Sequence, residues 1–291
     1  MSRHAALAAA VPGYAQGQAG GQVLSLPGVW DALSMHLAEQ AGFAAAFLSG
    51  GALSMARHGR RDMGLVTMSE LAQAVQLIRE TSDLPLFVDA DTGFGNEENA
   101  GRTMRVLEAA GATAIQLEDQ VFPKRCGFMA GKAVIPADEY LGKLKAVLDA
   151  RRGGTLVIAR TDARSIEGFA SALDRAQRYA DAGADLVFVE GPESLAEMQA
   201  ISAALAADLP LVHNLVEGGV SPVDSAAELA ELGYAVALHP LVLLHGFIRQ
   251  GPEHLAVLKQ TGSTASIKHK IADLAEFNAL LAQDISPRST T

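Results

Sequence analysis

The chain has 291 residues, 49% of them hydrophobic, and a formal net charge of −10. That length suits one large α/β domain, and an acidic balance with no basic stripe argues against nucleic-acid binding. No apolar stretch reaches membrane-spanning length, and a single cysteine excludes an internal disulfide, which fits a reducing compartment such as the cytoplasm.

Residues 1–20 open with Arg3 and an alanine run that superficially imitates a signal peptide. Its apolar part has only Leu7 among large aliphatic residues, which predicts a frayed arm or short helix instead. Short apolar runs follow at 23–29, 44–48, 85–89, 114–117, 156–160, 186–189, 210–213 and 235–238. Helical periodicity separates them, clearest over 69–81, 97–110, 168–182 and 194–206. One phrase recurs: a helix ends at Gly42, Gly111, Gly183 or Gly233, and a strand begins just after. Glycine there takes the left-handed cap conformation. Continuous apolar strands alternating with helices imply a parallel sheet covered by helices. Eight such units predict a (β/α)₈ TIM barrel over 21–250, preceded by the arm. Residues 251–291 are expected to form a helical extension, with helical pattern over 253–260 and 268–282.

In such barrels the chemistry sits at the C-terminal strand ends. Here those ends carry Ser49-Gly50-Gly51, Asp89 and Asp91, Glu118-Asp119, Arg160 and Asp162, Glu190, and Asn214. Asp89 and Asp91 are two apart and share one face in an extended segment. Paired carboxylates repel unless a cation lies between them, and Mg²⁺ suits oxygen ligands. Convergence of Asp89, Asp91 and Glu118 on one rim favours function over solvated loops. For Asp119 and Asp162, helix capping and function are equal readings. Glycines at 50 and 51 let backbone N–H groups approach an anion, and Arg160 can clamp a carboxylate bidentately. His213 and His239 read as packed residues. The run Lys124-Arg125-Cys126-Gly127 holds the only cysteine between two cations and a glycine. Positive neighbours favour a thiolate, so a reactive thiol on an exposed loop over 127–132 is preferred to a surface cysteine.

Taken together, these motifs resemble the isocitrate lyase and phosphoenolpyruvate mutase superfamily. They are Ser49-Gly50-Gly51, Arg61-Asp62-Met63-Gly64, 89–95, Glu118-Asp119-Gln120, Lys124-Arg125-Cys126-Gly127, 159–163 and 214–219, in that order. The length is similar to the short branch, which includes 2-methylisocitrate lyase, 2,3-dimethylmalate lyase, oxaloacetate hydrolase and the phosphonomutases. The resemblance implies a homotetrameric dimer of dimers whose last barrel helix is swapped between subunits. It implies one Mg²⁺, with Mn²⁺ as a substitute, held directly or through water by Asp62, Asp89, Asp91 and Glu118. It implies that Ser49, Gly50, Gly51 and Arg160 take the pyruvate- or glyoxylate-like half of a carboxylic acid, and that Glu190 and Asn214 contact substrate. A cysteine loop would close over the site, with the Cys126 thiol as acid and Lys124 and Arg160 as further catalytic groups.

The expected activity is Mg²⁺-dependent carbon–carbon cleavage of a 2-hydroxydicarboxylate to a 2-oxo acid and a carboxylate. Oxaloacetate hydrolysis, or a phosphonate mutase or hydrolase, are the alternatives on the same scaffold; a non-catalytic binding or assembly protein descended from the enzyme is a third reading, against which the retained four acids and cysteine argue. Two positions depart from the lyase pattern: Phe47 stands where Tyr is usual, and Phe128 where His follows Cys-Gly. By the same comparison, His245 stands where methylisocitrate lyases carry an arginine. Losing these polar partners makes a buried extra carboxylate costly. The expectation is therefore a methylated malate rather than a tricarboxylate.

Overall fold

A computed structural model describes residues 3–11, 23–127 and 131–282. Eight parallel strands close in sequence order into a barrel. They are β1 (Leu24–Val29), β2 (Ala46–Leu48), β3 (Leu86–Asp89), β4 (Ala114–Glu118), β5 (Leu156–Thr161), β6 (Leu186–Val189), β7 (Leu211–Asn214) and β8 (Val236–His239). Every strand expected from the sequence is present, with limits within two residues. The covering helices are α2 (Ala32–Gln40), α4 (Met68–Arg79), α5 (Glu97–Ala110), α6 (Ala137–Ala150), α8 (Phe169–Asp181), α9 (Leu195–Leu205), α10 (Ala226–Glu231) and α11 (Val242–Thr261), with single turns α3 (Gly50–Leu53) after β2 and α7 (Arg164–Glu167) after β5. Their starts are chemically marked. Asp31, Thr67 and Asn96 each cap the following helix by accepting a backbone N–H, and each donates its own backbone N–H to the side chain of the third residue in. Their ends follow the repeated glycine phrase: Gly42, Gly111, Gly183 and Gly233 all have positive φ.

Strand alternation divides the core in two. Side chains such as Leu26, Phe87, Ile158, Phe188 and Val212 fill the barrel interior. Their neighbours, such as Leu48, Val88, Ile115, Val157 and Val187, pack under the helices. The N-terminal segment is not frayed over its described residues. Helix α1 (Arg3–Ala10) buries Leu7, and Val11 follows it, both inside the barrel-interior cluster. Fully burying such a side chain contributes about 1.5–3 kcal/mol, so the apolar residues of this arm serve as a plug.

After α11 come a 3₁₀ turn (Ala265–Lys270) and a last helix, α12 (Leu274–Leu281), which meets α2 of the same chain. The helical expectation for 268–282 begins six residues too early, because Asp273 caps α12. Among the described residues no helix is long and apolar enough to cross a membrane.

His213 shows what outward packing costs. Its ring leaves the barrel interior, pairs through Nε2 with Ser221 Oγ at 2.8 Å, and stands edge-on to Tyr234. Burial pulls it down from 6.5 to about 4. The unfolded chain therefore takes up a proton that the folded chain refuses. Its stabilising contribution is full above pH 6.5 and is lost as pH falls toward 4, by about 2–3 kcal/mol. Melting curves at pH 7 and pH 4.5 should show a smaller acid-induced drop in Tm for His213→Gln than for wild type.

Candidate active site

The interior parity carries straight into the site. Two residues above Phe87 on β3 stands Asp89. Two and four above Ala114 on β4 stand Gln116 and Glu118. Arg160 follows Ile158, Glu190 follows Phe188, and Asn214 follows Val212. One pocket at this rim is lined by Asp89, Gln116, Arg160, Glu190 and Asn214 from the strands and their ends. Phe47, Ser49, Gly51 and Asp62 line it from the β2 side, and Lys124, Cys126 and Gly127 from the loop after β4. The structure thus gathers most of the residues expected from the sequence. Phe128 lies outside the described residues.

The β2 end is built for close approach. Ser49 caps a short helix, α3 (Gly50–Leu53), by accepting the Ala52 N–H at 3.1 Å. The Gly50 and Gly51 N–H groups lie in its first turn, where no intrahelical acceptor exists. A Cβ on Gly50 would stand 3.1 Å from Asp89 Oδ2 and 3.4 Å from Asp91 Oδ1. The basic segment beyond, Arg57 to Arg61, is surface: Arg57 bonds Gln73 and His58 pairs with Glu70.

The four acids of the expected metal set do converge, but not by strand alternation. Strand β3 stops at Asp89, and Asp91 turns left-handed with φ 46°, a conformation Asp tolerates better than most residues. The Lys124 ammonium lies 2.6 Å from Asp62 Oδ2 and 3.1 Å from Asp91 Oδ1. The sequence reading placed this cation beside the thiol; the structure gives it to the carboxylates. Burial opposes the Lys124 charge, but Asp91, Asp89, Glu118 and Asp62 outweigh it and hold the ammonium well above its usual range. Burial also pushes Asp91 up to about 7, against the pull of Lys124 and with help from Asp89 and Asp62. Burial raises Glu118 well above the carboxylate range despite Arg160 and Lys124.

Among the described residues, no three carboxylate, imidazole or thiol groups close around a point as a ready-made metal cage. Two buried carboxylate oxygens of the described residues nevertheless lack hydrogen bonds: Glu118 Oε1, and Asp91 Oδ1, whose contact with Lys124 lies outside hydrogen-bond geometry. Such atoms call for an explanation. A divalent ion that uses one or two carboxylates and keeps its waters fits them.

Arg160 organises the opposite side. Asp162 grips it twice, Nε to Oδ2 at 2.8 Å and Nη2 to Oδ1 at 3.1 Å. Glu118 stands 3.5 Å and Glu190 3.4 Å from the guanidinium, which also lies over Phe188. Asn214 Nδ2 donates to Glu190 Oε2 at 3.1 Å. Burial works to raise Asp162, but Arg160 and Lys132 more than offset it and hold it below the usual carboxylate range. Asp162 is therefore an orienting partner of Arg160. Asp119 is structural: facing away from the pocket, it accepts from Tyr179 Oη, Arg175 Nη1 and the Asp162 N–H.

The cysteine loop is tied down at several points. Gln120 accepts the Arg125 N–H and donates to the Arg125 carbonyl, while the Cys126 N–H donates to Asp62 O. Lys132, expected on an exposed loop, has a buried side chain. His245 stands on α11 and meets Glu217, from the loop after β7, at 3.2 Å. Gln116 went unnoticed in the sequence. The available signal was a polar residue inside an apolar strand, two before Glu118.

Residues 16–244 match the phosphoenolpyruvate phosphomutase family. The chain is 38% identical over 256 residues to 2,3-dimethylmalate lyase of Eubacterium barkeri, covering 88% of each protein. It is 39% identical over 259 residues to 2-methylisocitrate lyase of Aeropyrum pernix, covering 89% of this chain and 83% of that one. Among solved structures, 2,3-dimethylmalate lyase superposes with a TM-score of 0.87 at 30% identity, over 98% of this chain and 93% of that one. Phosphonopyruvate hydrolase complexed with oxalate and Mg²⁺ superposes with a TM-score of 0.81 at 28% identity, over 97% and 96%. A closed (β/α)₈ barrel with its acids, arginine and cysteine loop at the C-terminal rim defines a class of barrel enzyme. The chain belongs to the phosphoenolpyruvate mutase/isocitrate lyase superfamily.

Gly127 sits so tightly that a Cβ would come within 2.6 Å of Glu190 Oε1 and 2.7 Å of Arg160 Nη2. Gly127→Ala should therefore lift the loop off the site. Turnover should fall about 10²-fold, the scale of a 1 Å misplacement. The melting temperature, measured alongside, should stay close to wild type.

Proposed function

We propose that this chain is a divalent-metal-dependent lyase. It cleaves the carbon–carbon bond of a 2-hydroxydicarboxylate to give a 2-oxo acid, such as pyruvate, and a carboxylate. The observation that carries this reading is that Cys126, Arg160, Ser49 and Asp62 line one pocket. The relatives' activities and the oxalate and Mg²⁺ of the solved hydrolase support it.

The residues divide the work. Gly50 and Gly51 N–H groups and Arg160 hold the carboxylate and oxygen of the 2-oxo-acid half. Asp62, Asp89, Asp91 and Glu118 are the residues to hold Mg²⁺ or Mn²⁺, partly through water; the ion supplies Lewis-acid stabilisation of the oxygen that becomes the carbonyl. When the hydroxyl proton passes to solvent and the carbon–carbon bond breaks, that bond's electron pair passes to the α-carbon of the departing carboxylate while the oxygen's pair forms the new carbonyl. Cys126 then gives its S–H proton to that carbon and regains one from solvent. Lys124 balances the charge of the acids, and Glu190 with Asn214 orients Arg160 and the substrate. Phosphonate transfer has less need of such an acid, which favours the lyase reading over the mutase.

Phe47 is buried at the pocket floor, where it belongs both to the barrel-interior cluster and to the lining. An apolar ring there favours a methyl group, at about 0.8 kcal/mol per buried methylene, over a third carboxylate. The tail is read as the swapped element of a dimer of dimers, supported by the exposed Phe247, Leu255 and Leu274.

The test is a substrate panel with coupled pyruvate detection. Wild type should cleave 2,3-dimethylmalate-like acids with higher kcat/KM than methylisocitrate, and Phe47→Tyr should narrow the ratio. Cys126→Ser should cut kcat about 10²–10⁴-fold with little change in KM. Near-native kcat in Cys126→Ser, or phosphonopyruvate as the sole substrate turned over, would overturn the lyase assignment.

A further inference from the structure

Lys132 stands outside the chemistry described so far, yet it bridges two parts of the site. Its Nζ donates to the Gly127 carbonyl at 2.6 Å and to Asp162 Oδ1 at 3.0 Å. Only 6% of its side chain is exposed, and Asp162 is fully buried. Asp162 Oδ1 is the same oxygen that accepts from Arg160 Nη2, at 3.1 Å. The Gly127 backbone in turn lies against the Arg160–Glu190 pair, closely enough that a Cβ would collide with both.

We infer that Lys132 is a positioning residue, a latch that holds the cysteine loop over the pocket by joining the Gly127 carbonyl to the carboxylate that orients Arg160. The physical argument is one of shared acceptors. A buried ammonium needs its charge and its donors satisfied. The charge is met by Asp162 and a second donor by the Gly127 carbonyl, an atom of the loop itself. Lifting the loop removes that acceptor and leaves a buried N–H to be resolvated, so the seated loop is favoured. Because Asp162 holds both Lys132 and Arg160, the arrangement of the arginine and the position of the cysteine are coupled through one carboxylate. The latch adds a conformational element to the proposed lyase site, but its signature does not require turnover.

Cys126 is the chain's only cysteine, so its alkylation by iodoacetamide reports loop position directly. The experiment measures that rate in the full-length protein for wild type, Lys132→Met, Lys132→Arg, Asp162→Asn and the double variant Lys132→Met/Asp162→Asn. It is run without ligand and again with MgCl₂ and oxalate as the probe. Lys132→Met should alkylate about tenfold faster than wild type, the scale of one charged hydrogen bond lost. Lys132→Arg should restore most of the protection. Since both single changes break the same bridge, the double variant should react no faster than the faster single one. Lys132→Gln, which keeps a donor for Gly127 but no charge for Asp162, should fall between Met and wild type, and it serves if Lys132→Met does not fold. Wild-type alkylation rates in Lys132→Met and Lys132→Gln would overturn the latch. Multiplying effects in the double variant would overturn the coupling through Asp162. Failure of oxalate to protect wild type, with the ligand-free rates as expected, would count against the lyase site and leave the latch supported.

Discussion

The constraint on which the site depends is an excess of buried carboxylate. Asp62, Asp89, Asp91, Glu118, Asp162 and Glu190 cluster at and behind the rim, where Lys124, Lys132 and Arg160 supply the opposing charge. Desolvation makes each unpaired charge costly, so the pairings are not interchangeable. Asp162 is matched to Arg160 and Lys132 and stays ionised. Asp91 and Glu118 are not fully matched, and burial pushes both upward. The unbalanced acids lie on the side where a divalent cation fits; the balanced one lies under the arginine. Charge is thus divided between an acid-rich side beside Lys124 and a side balanced around Arg160.

The fold makes this division possible because parallel strands deliver side chains with fixed parity. An interior layer of Phe87, Ile158, Phe188 and Val212 supports a layer that is almost wholly polar. Behind the rim a second network fixes the loops. Arg175 is held by Glu167 and bonds Asp119, and Asp119 receives the backbone N–H of Asp162. The carboxylate that orients Arg160 is therefore anchored through its backbone from the helical layer and through its side chain from the pocket. Such preorganisation is what electrostatic catalysis requires, since donors already in place need no rearrangement as charge develops.

The barrel was legible in the sequence because its signals are local: strand-length apolar runs, helical periodicity and capping glycines. Asp89 and Glu190 were legible because each sits two residues beyond an inward-facing apolar residue, Phe87 and Phe188, and Glu118 because it ends an apolar strand in the same parity as Ala114. What could not be read was the distribution of pairings. Glu118 and Asp119 are adjacent in the chain, but one faces the pocket and the other meets Arg175 and Tyr179, more than 50 residues away. Lys124 is two residues from Cys126, yet its ammonium reaches across to Asp62 and Asp91. Lys132 lies in a glycine-containing stretch that reads as exposed, and only the tertiary fold brings Asp162 beneath it. The helix at the N-terminus was visible as a pattern, but its role as a barrel plug depends on where Leu7 lands.

The central claim, that a divalent cation completes the charge balance at the rim, is tested most directly by titrating Mn²⁺ into metal-free protein and following free Mn²⁺ by electron paramagnetic resonance. The account predicts one Mn²⁺ bound per chain, displaced by Mg²⁺, and lost in Asp89→Asn while Asp119→Asn retains it. No binding by the wild type, or undiminished binding by Asp89→Asn, would contradict it.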